Sequence, residues 1–278
     1  MIPKHPTIPT AIVLWFLSFL GFGLFPLLSL FSTNILLIAH ICGFIGQGII
    51  LIGCLTIRHR NTEPRYDRSN LALPDIRSVA LTFCVFIGVV LLAYCTMSPL
   101  EHQLTVLMQV FYSRSSRIPP DTAILWSDWF FGVLFAPALE ELTFRGVLLQ
   151  GFLARYKPST AIIANTILFV LLHGFSGNTP SKVVIALALC LVYYLSNSLW
   201  LCIELHILHN LLIFCQDILE QFFALKLFEI LEHFSPYQIQ YWLLTGVGLV
   251  CCLFCLQRMA TINTRHMRVA FVQNNSEG

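Results

Sequence analysis

Charge is what this chain has least of: Asp, Glu, Lys and Arg together make up 11% of its 278 residues. Soluble domains carry about one quarter, so a water-exposed globular fold is not expected. The formal net charge of +2 is too small to argue for a nucleic-acid partner, and none is expected. Cysteine in polar loops is missing as well, since all ten cysteines (42, 54, 84, 95, 190, 202, 215, 251, 252 and 255) lie in apolar runs. A secreted disulfide framework would place them in polar loops. The cluster Cys251, Cys252 and Cys255 therefore reads as small apolar residues on a spanning helix rather than as a metal or redox site. No internal repeat, low-complexity tract, second domain or lipidation signal is visible.

What fills the chain is apolar sequence, 57% of all residues, with a mean hydropathy of +0.77. A spanning helix needs about 20 apolar residues. Segments of suitable length fall near 11–31, 35–57, 79–98, 123–142 (with a continuation towards 156), 160–175, 182–199, 200–218 and 238–257. The expected fold is an all-α polytopic membrane protein, a bundle of about eight transmembrane helices with a membrane-embedded active site. The first segment reads as a retained anchor, being too long for a signal-peptide core. Asn197-Ser198 is the expected turn between the sixth and seventh spans.

With the N-terminus in the cytoplasm, eleven of the sixteen basic residues fall on the cytoplasmic side, from Lys4 and Arg58 to Arg268. Arg114, Arg117, Lys182 and Lys226 fall on the other side, and Arg145 lies within a span. This asymmetry predicts a multi-pass protein with both termini cytoplasmic, in the plasma (inner) membrane if the host is bacterial. Residues 58–77 read as a polar cytoplasmic loop, 100–112 and 219–234 as interfacial segments, and the tail from about 258 as polar and disordered after its basic start. Three regions result: spans 1–3 and their loops over 1–122, spans 4–7 over 123–218, and an interfacial segment, last span and tail over 219–278.

The stretch that needs explaining is Pro137-Ala138-Leu139-Glu140-Glu141-Leu142-Thr143-Phe144-Arg145-Gly146. A charge near the bilayer centre costs about 2.5 kcal/mol or more, and here three lie within six residues. On a helix Glu141 and Arg145 share a face, four residues apart, with the acid N-terminal to the base. Glu140 lies about 100° away and has no partner at that spacing, which makes it the candidate for chemistry. Pro137, Gly146 and Gly151 are places to bend or break the helix. Phe169 and His173 share a face of the fifth span, and His206 and Asn210 a face of the seventh. His40, Asp128, Glu204, His209 and Asp217 read as structural or cavity-lining.

Glu140-Glu141-x-x-x-Arg145-Gly146, Phe169-x-x-x-His173 and His206-x-x-x-Asn210 follow one another on successive helical segments. In that order they resemble the CAAX protease and bacteriocin-processing (CPBP, Abi-type) family of intramembrane endopeptidases, and within it the type II CAAX prenyl endopeptidases. The resemblance covers about residues 123–218. It implies a multi-pass peptidase of glutamate or metallo type that hydrolyses a peptide bond in a membrane-associated peptide or protein substrate, lipidated or not. In it Glu140 takes a proton from the attacking water, which His173 helps to hold. His206 and Asn210 donate to the oxyanion, while Glu141 and Arg145 position the first acid or the substrate. Such donors contribute on the order of 3 kcal/mol each.

Glu140, His173 and His206 would also form a two-histidine, one-carboxylate zinc site with an open fourth position. The chain has no His-Glu-x-x-His, and Asn210 is a poor zinc ligand but a good oxyanion donor. The expectation is that no cofactor is required, with Zn2+ as the alternative. Two non-peptidase readings stand beside this one. A proton-coupled transporter would use the acids as a relay, but carriers commonly show two related halves and the polar residues here concentrate after residue 123. A non-catalytic immunity protein would keep the fold alone.

Overall fold

A computed structural model describes residues 7–23, 73–93, 128–173, 179–223 and 239–276, with scattered positions between 41 and 52. Every element among the described residues is helical. His40, most of the second expected span, the 58–72 part of the cytoplasmic loop and the segment 100–112 lie outside the described residues, as does 224–234 of the second interfacial segment. Among the described residues, three helical stretches are long and apolar enough to cross a membrane: Thr179–Ser196, Leu199–Gln216 and Trp242–Ile262. The protein is a membrane protein.

The chain divides into two compact units. The first comprises residues 1–66, 109–175 and 210–226. It contains helix α1 (Ile8–Gly23), a π-helical stretch Asp128–Phe135, α3 (Ala136–Thr143), a second π-helical stretch Phe144–Leu149, α4 (Gln150–Leu153) and α5 (Pro158–Leu172). The run from Asp128 to Leu153 changes hydrogen-bond register where the sequence predicts a bend. The α-register begins beside Pro137 and gives way at Phe144, just before Gly146. The chain does not break there, because Phe135, Thr143, Phe144 and Leu149 all keep right-handed helical angles. Proline has no N–H to offer the preceding turn, and here that turn is wide.

Helix α5 packs against α1, α4 and the second π-helical stretch. Its faces are inverted relative to a soluble helix. Asn165 is fully buried, whereas Ile163 and Ile167 are more than half exposed. A polar residue turned inward and β-branched apolar residues turned outward suit a helix whose surroundings are lipid.

The second unit comprises residues 67–108, 176–209 and 227–278. It contains α2 (Ile76–Leu91), α6 (Thr179–Ser196), the first part of α7 (Leu199–Phe223) and α8 (Ile239–Ser276). Asp75 caps α2 by accepting a hydrogen bond from the Ser78 N–H at 3.0 Å. Helices α2 and α8 pack through small residues. A Cβ on Gly88 would lie 2.6 Å from Cys252 Sγ and 2.8 Å from the Gly248 carbonyl oxygen, so the two backbones meet only because Gly88 has no side chain. The Cys251 thiol donates to the Cys84 carbonyl at 3.2 Å. Cys252 and Cys255 are buried while Trp242, Val247, Val250 and Phe254 face outward. These cysteines pack one helix on another, as their setting in the sequence predicts.

The turn between α6 and α7 falls on Asn197-Ser198, with Asn197 at φ 55°. Asparagine enters the left-handed region more readily than other side-chain-bearing residues. The tail differs from expectation. Helix α8 continues to Ser276 instead of ending near 258. Residues 258–276 are polar but contain neither proline nor glycine, so nothing in them stops a helix already under way.

Candidate active site

Helix α3 holds Glu140 and Glu141 between the two π-helical stretches. Such stretches are rare and often mark functional positions. Glu141 and Arg145 form the ion pair that their spacing predicts. Arg145 Nη1 donates to Glu141 Oε1 at 2.8 Å, and both side chains are wholly buried. The guanidinium also lies over the Phe169 ring, 4.6 Å from its centroid. Arg145 is therefore committed to structure inside the first unit.

Glu140 turns elsewhere. Its carboxylate is 8% exposed, and its Oε2 lies 3.4 Å from His173 Nε2. His173 sits one residue past the end of α5, where its own N–H still reaches the Phe169 carbonyl at 3.4 Å. Its ring orientation has two causes. The imidazole stacks on the Phe169 ring at 4.4 Å and 30°, and Nδ1 is 2.9 Å from the Phe169 carbonyl oxygen. A carbonyl only accepts, so Nδ1 carries the hydrogen and Nε2 presents either its lone pair or, in the imidazolium, a second N–H. Two lone pairs facing one another would repel. The Glu140–His173 pair therefore needs one proton between its members, or a donor such as water spanning them.

Asn210 reaches the same unit from α7. Its Nδ2 donates to the Gly132 carbonyl at 2.9 Å. Pro137, five residues on and at the spacing of a π-turn, has no N–H to give that carbonyl. The seventh expected span thus supplies a donor to the preceding π-helical stretch. His206, one turn before Asn210, is 4% exposed and belongs to the second unit. Of the residues singled out in the sequence, Glu140 and His173 meet, Glu141 and Arg145 meet, and Asn210 binds backbone in the same unit. Glu204 and His209 are part-buried on α7.

The sequence reading passed over Asn165. This fully buried residue donates from Nδ2 to the Phe144 carbonyl at 2.9 Å. Its signal was available, because it precedes Phe169 by four residues on the face that carries the second motif.

The first unit contributes a carboxylate and an imidazole, whereas a catalytic zinc takes three protein ligands. Among the described residues no group of three or more His, Cys, Asp or Glu side chains is arranged to hold a metal ion.

Residues 122–212 match the family model described as Type II CAAX prenyl endopeptidase Rce1-like. The matched stretch contains all three motifs, from Glu140 to Asn210, and the match agrees with the family resemblance read from them. No curated protein and no solved structure matches the chain.

Proposed function

We propose that the protein is an intramembrane endopeptidase of the CAAX-processing type, with Glu140 as the base that activates water. The observation that carries this reading is the 3.4 Å approach of Glu140 to an imidazole whose other nitrogen is tied to a carbonyl. A water bound beside the pair and in reach of both gives its proton to the carboxylate while its oxygen attacks the scissile carbonyl. The resulting carboxylic acid then protonates the departing amine, which returns Glu140 to its starting state. His173 orients the water through Nε2, and Phe169 fixes which nitrogen that is.

The negative oxygen formed on the scissile carbon is stabilised by Asn210, the residue of the third motif that lies in the same unit as Glu140. The contact from Asn210 to Gly132 holds the amide in one orientation, so little reorganisation accompanies the step. Glu141 and Arg145 hold α3 in the register that presents Glu140. No metal takes part. The substrate is a peptide segment that reaches the site from the bilayer, and the matched family's description makes a prenylated C-terminal peptide the first candidate.

The test uses the full chain reconstituted in lipid vesicles with a farnesylated peptide ending in a CAAX sequence, products being read by mass spectrometry. The wild type should release the terminal tripeptide. Glu140→Gln should insert and fold but lose about 10²–10⁴-fold in kcat, the contribution of a positioned base. Undiminished cleavage by a folded Glu140→Gln chain would overturn the assignment.

A further inference from the structure

We infer that Asn165 is a positioning residue for the Glu140–His173 pair, an inference that rests on the reading of that pair as the water-activating centre. Asn165, Phe169 and His173 follow at intervals of four and form one stripe along α5 and its first residue beyond. Each makes a different contact with the segment carrying the glutamates. The Asn165 amide donates to the Phe144 carbonyl at 2.9 Å. The Phe169 ring meets the Phe144 ring edge-on at 5.2 Å and receives the Arg145 guanidinium at 4.6 Å. The His173 imidazole reaches Glu140 at 3.4 Å.

Of the three, only the Asn165 contact combines a short distance with strict direction. Ring contacts tolerate sliding, and the His173 contact is the one to be held. Phe144 is also where the α-register of α3 changes to the π-register. A donor at that carbonyl fixes α5 against the junction, and with it the height of His173 relative to Glu140.

The experiment compares wild type, Asn165→Leu and Asn165→Ser, each as the full chain in lipid vesicles, with Glu140→Gln alongside. Leucine keeps the branched outline and removes the donor, whereas serine keeps a shorter donor. The first readout does not depend on turnover: the rate at which diethyl pyrocarbonate modifies His173, read by peptide mass spectrometry with His209 as internal reference. Loss of register should raise the His173 rate in Asn165→Leu and leave that of His209 unchanged. The second readout is cleavage of the farnesylated peptide. Asn165→Leu should lose about 10–100-fold in kcat, as misplacing a reacting group by about 1 Å does, with KM unchanged and Asn165→Ser intermediate.

A folded Asn165→Leu chain with wild-type His173 reactivity and wild-type kcat would overturn the inference. If Asn165→Leu fails to fold, wild-type values for both readouts in Asn165→Ser overturn it equally. Full activity in Glu140→Gln would instead sink the assignment of the base and leave the reactivity readout to judge Asn165.

Discussion

At the scale of single residues, two neighbouring acids have different fates because of one step in sequence. Glu141 points to Arg145 and is neutralised by it, whereas Glu140, about 100° round the helix, meets an imidazole. Burying an ion pair costs desolvation, and breaking one leaves an uncompensated charge. Glu141→Gln or Arg145→Met alone should therefore destabilise the protein by about 3–5 kcal/mol, while the double variant should recover most of that. Thermal unfolding of the four chains in one detergent measures the cycle. Equal losses for the single and double variants would mean that the pair itself stabilises rather than compensates. Helical spacing made this pair legible in the sequence, and likewise Phe169 with His173. Asn165 was not legible because one asparagine in an apolar span has many ordinary uses, and its partner, a backbone carbonyl, leaves no trace in side-chain patterns.

At the scale of elements, the π-helical stretches flanking α3 were foreseen only as places to bend. Proline and glycine report that a helix is weakened but not whether it kinks, breaks or widens. The outcome depends on what satisfies the freed carbonyls, and at Gly132 that is Asn210, 78 residues away in sequence. The extension of α8 to Ser276 was missed for the opposite reason, since polar composition argued for disorder while the lack of helix breakers allowed the helix to continue. The packing of α2 on α8 depends on Gly88. Replacing it with leucine would force the side chain against the Gly248 carbonyl 2.8 Å away. Overpacking of this kind costs about 1–3 kcal/mol, read as a lower unfolding temperature. Gly88→Ala combined with Cys252→Ala should relieve the sulfur contact and not the backbone one, so the loss should persist. A wild-type melting temperature for Gly88→Leu would show that the two helices are not held this close.

At the scale of the whole molecule, the membrane class followed from composition alone. The inverted face of α5 and the outward apolar face of α8 give that class a structural form. If hydrolysis proceeds without metal, exhaustive chelation of the purified protein should leave peptide cleavage unchanged. Loss of activity restored by added zinc would put a third ligand beside Glu140 and His173 and revise their roles. A proton-coupled carrier would move solute across sealed vesicles and leave the peptide intact. The most direct test of carboxylate-activated water follows the oxygen. Cleavage of the farnesylated peptide in ¹⁸O-labelled water should place one labelled oxygen in the newly formed carboxylate for the wild-type chain, and Glu140→Gln should form labelled product about 10²–10⁴-fold more slowly. Labelled product from a folded Glu140→Gln chain at the wild-type rate would contradict the assignment of Glu140 as the base.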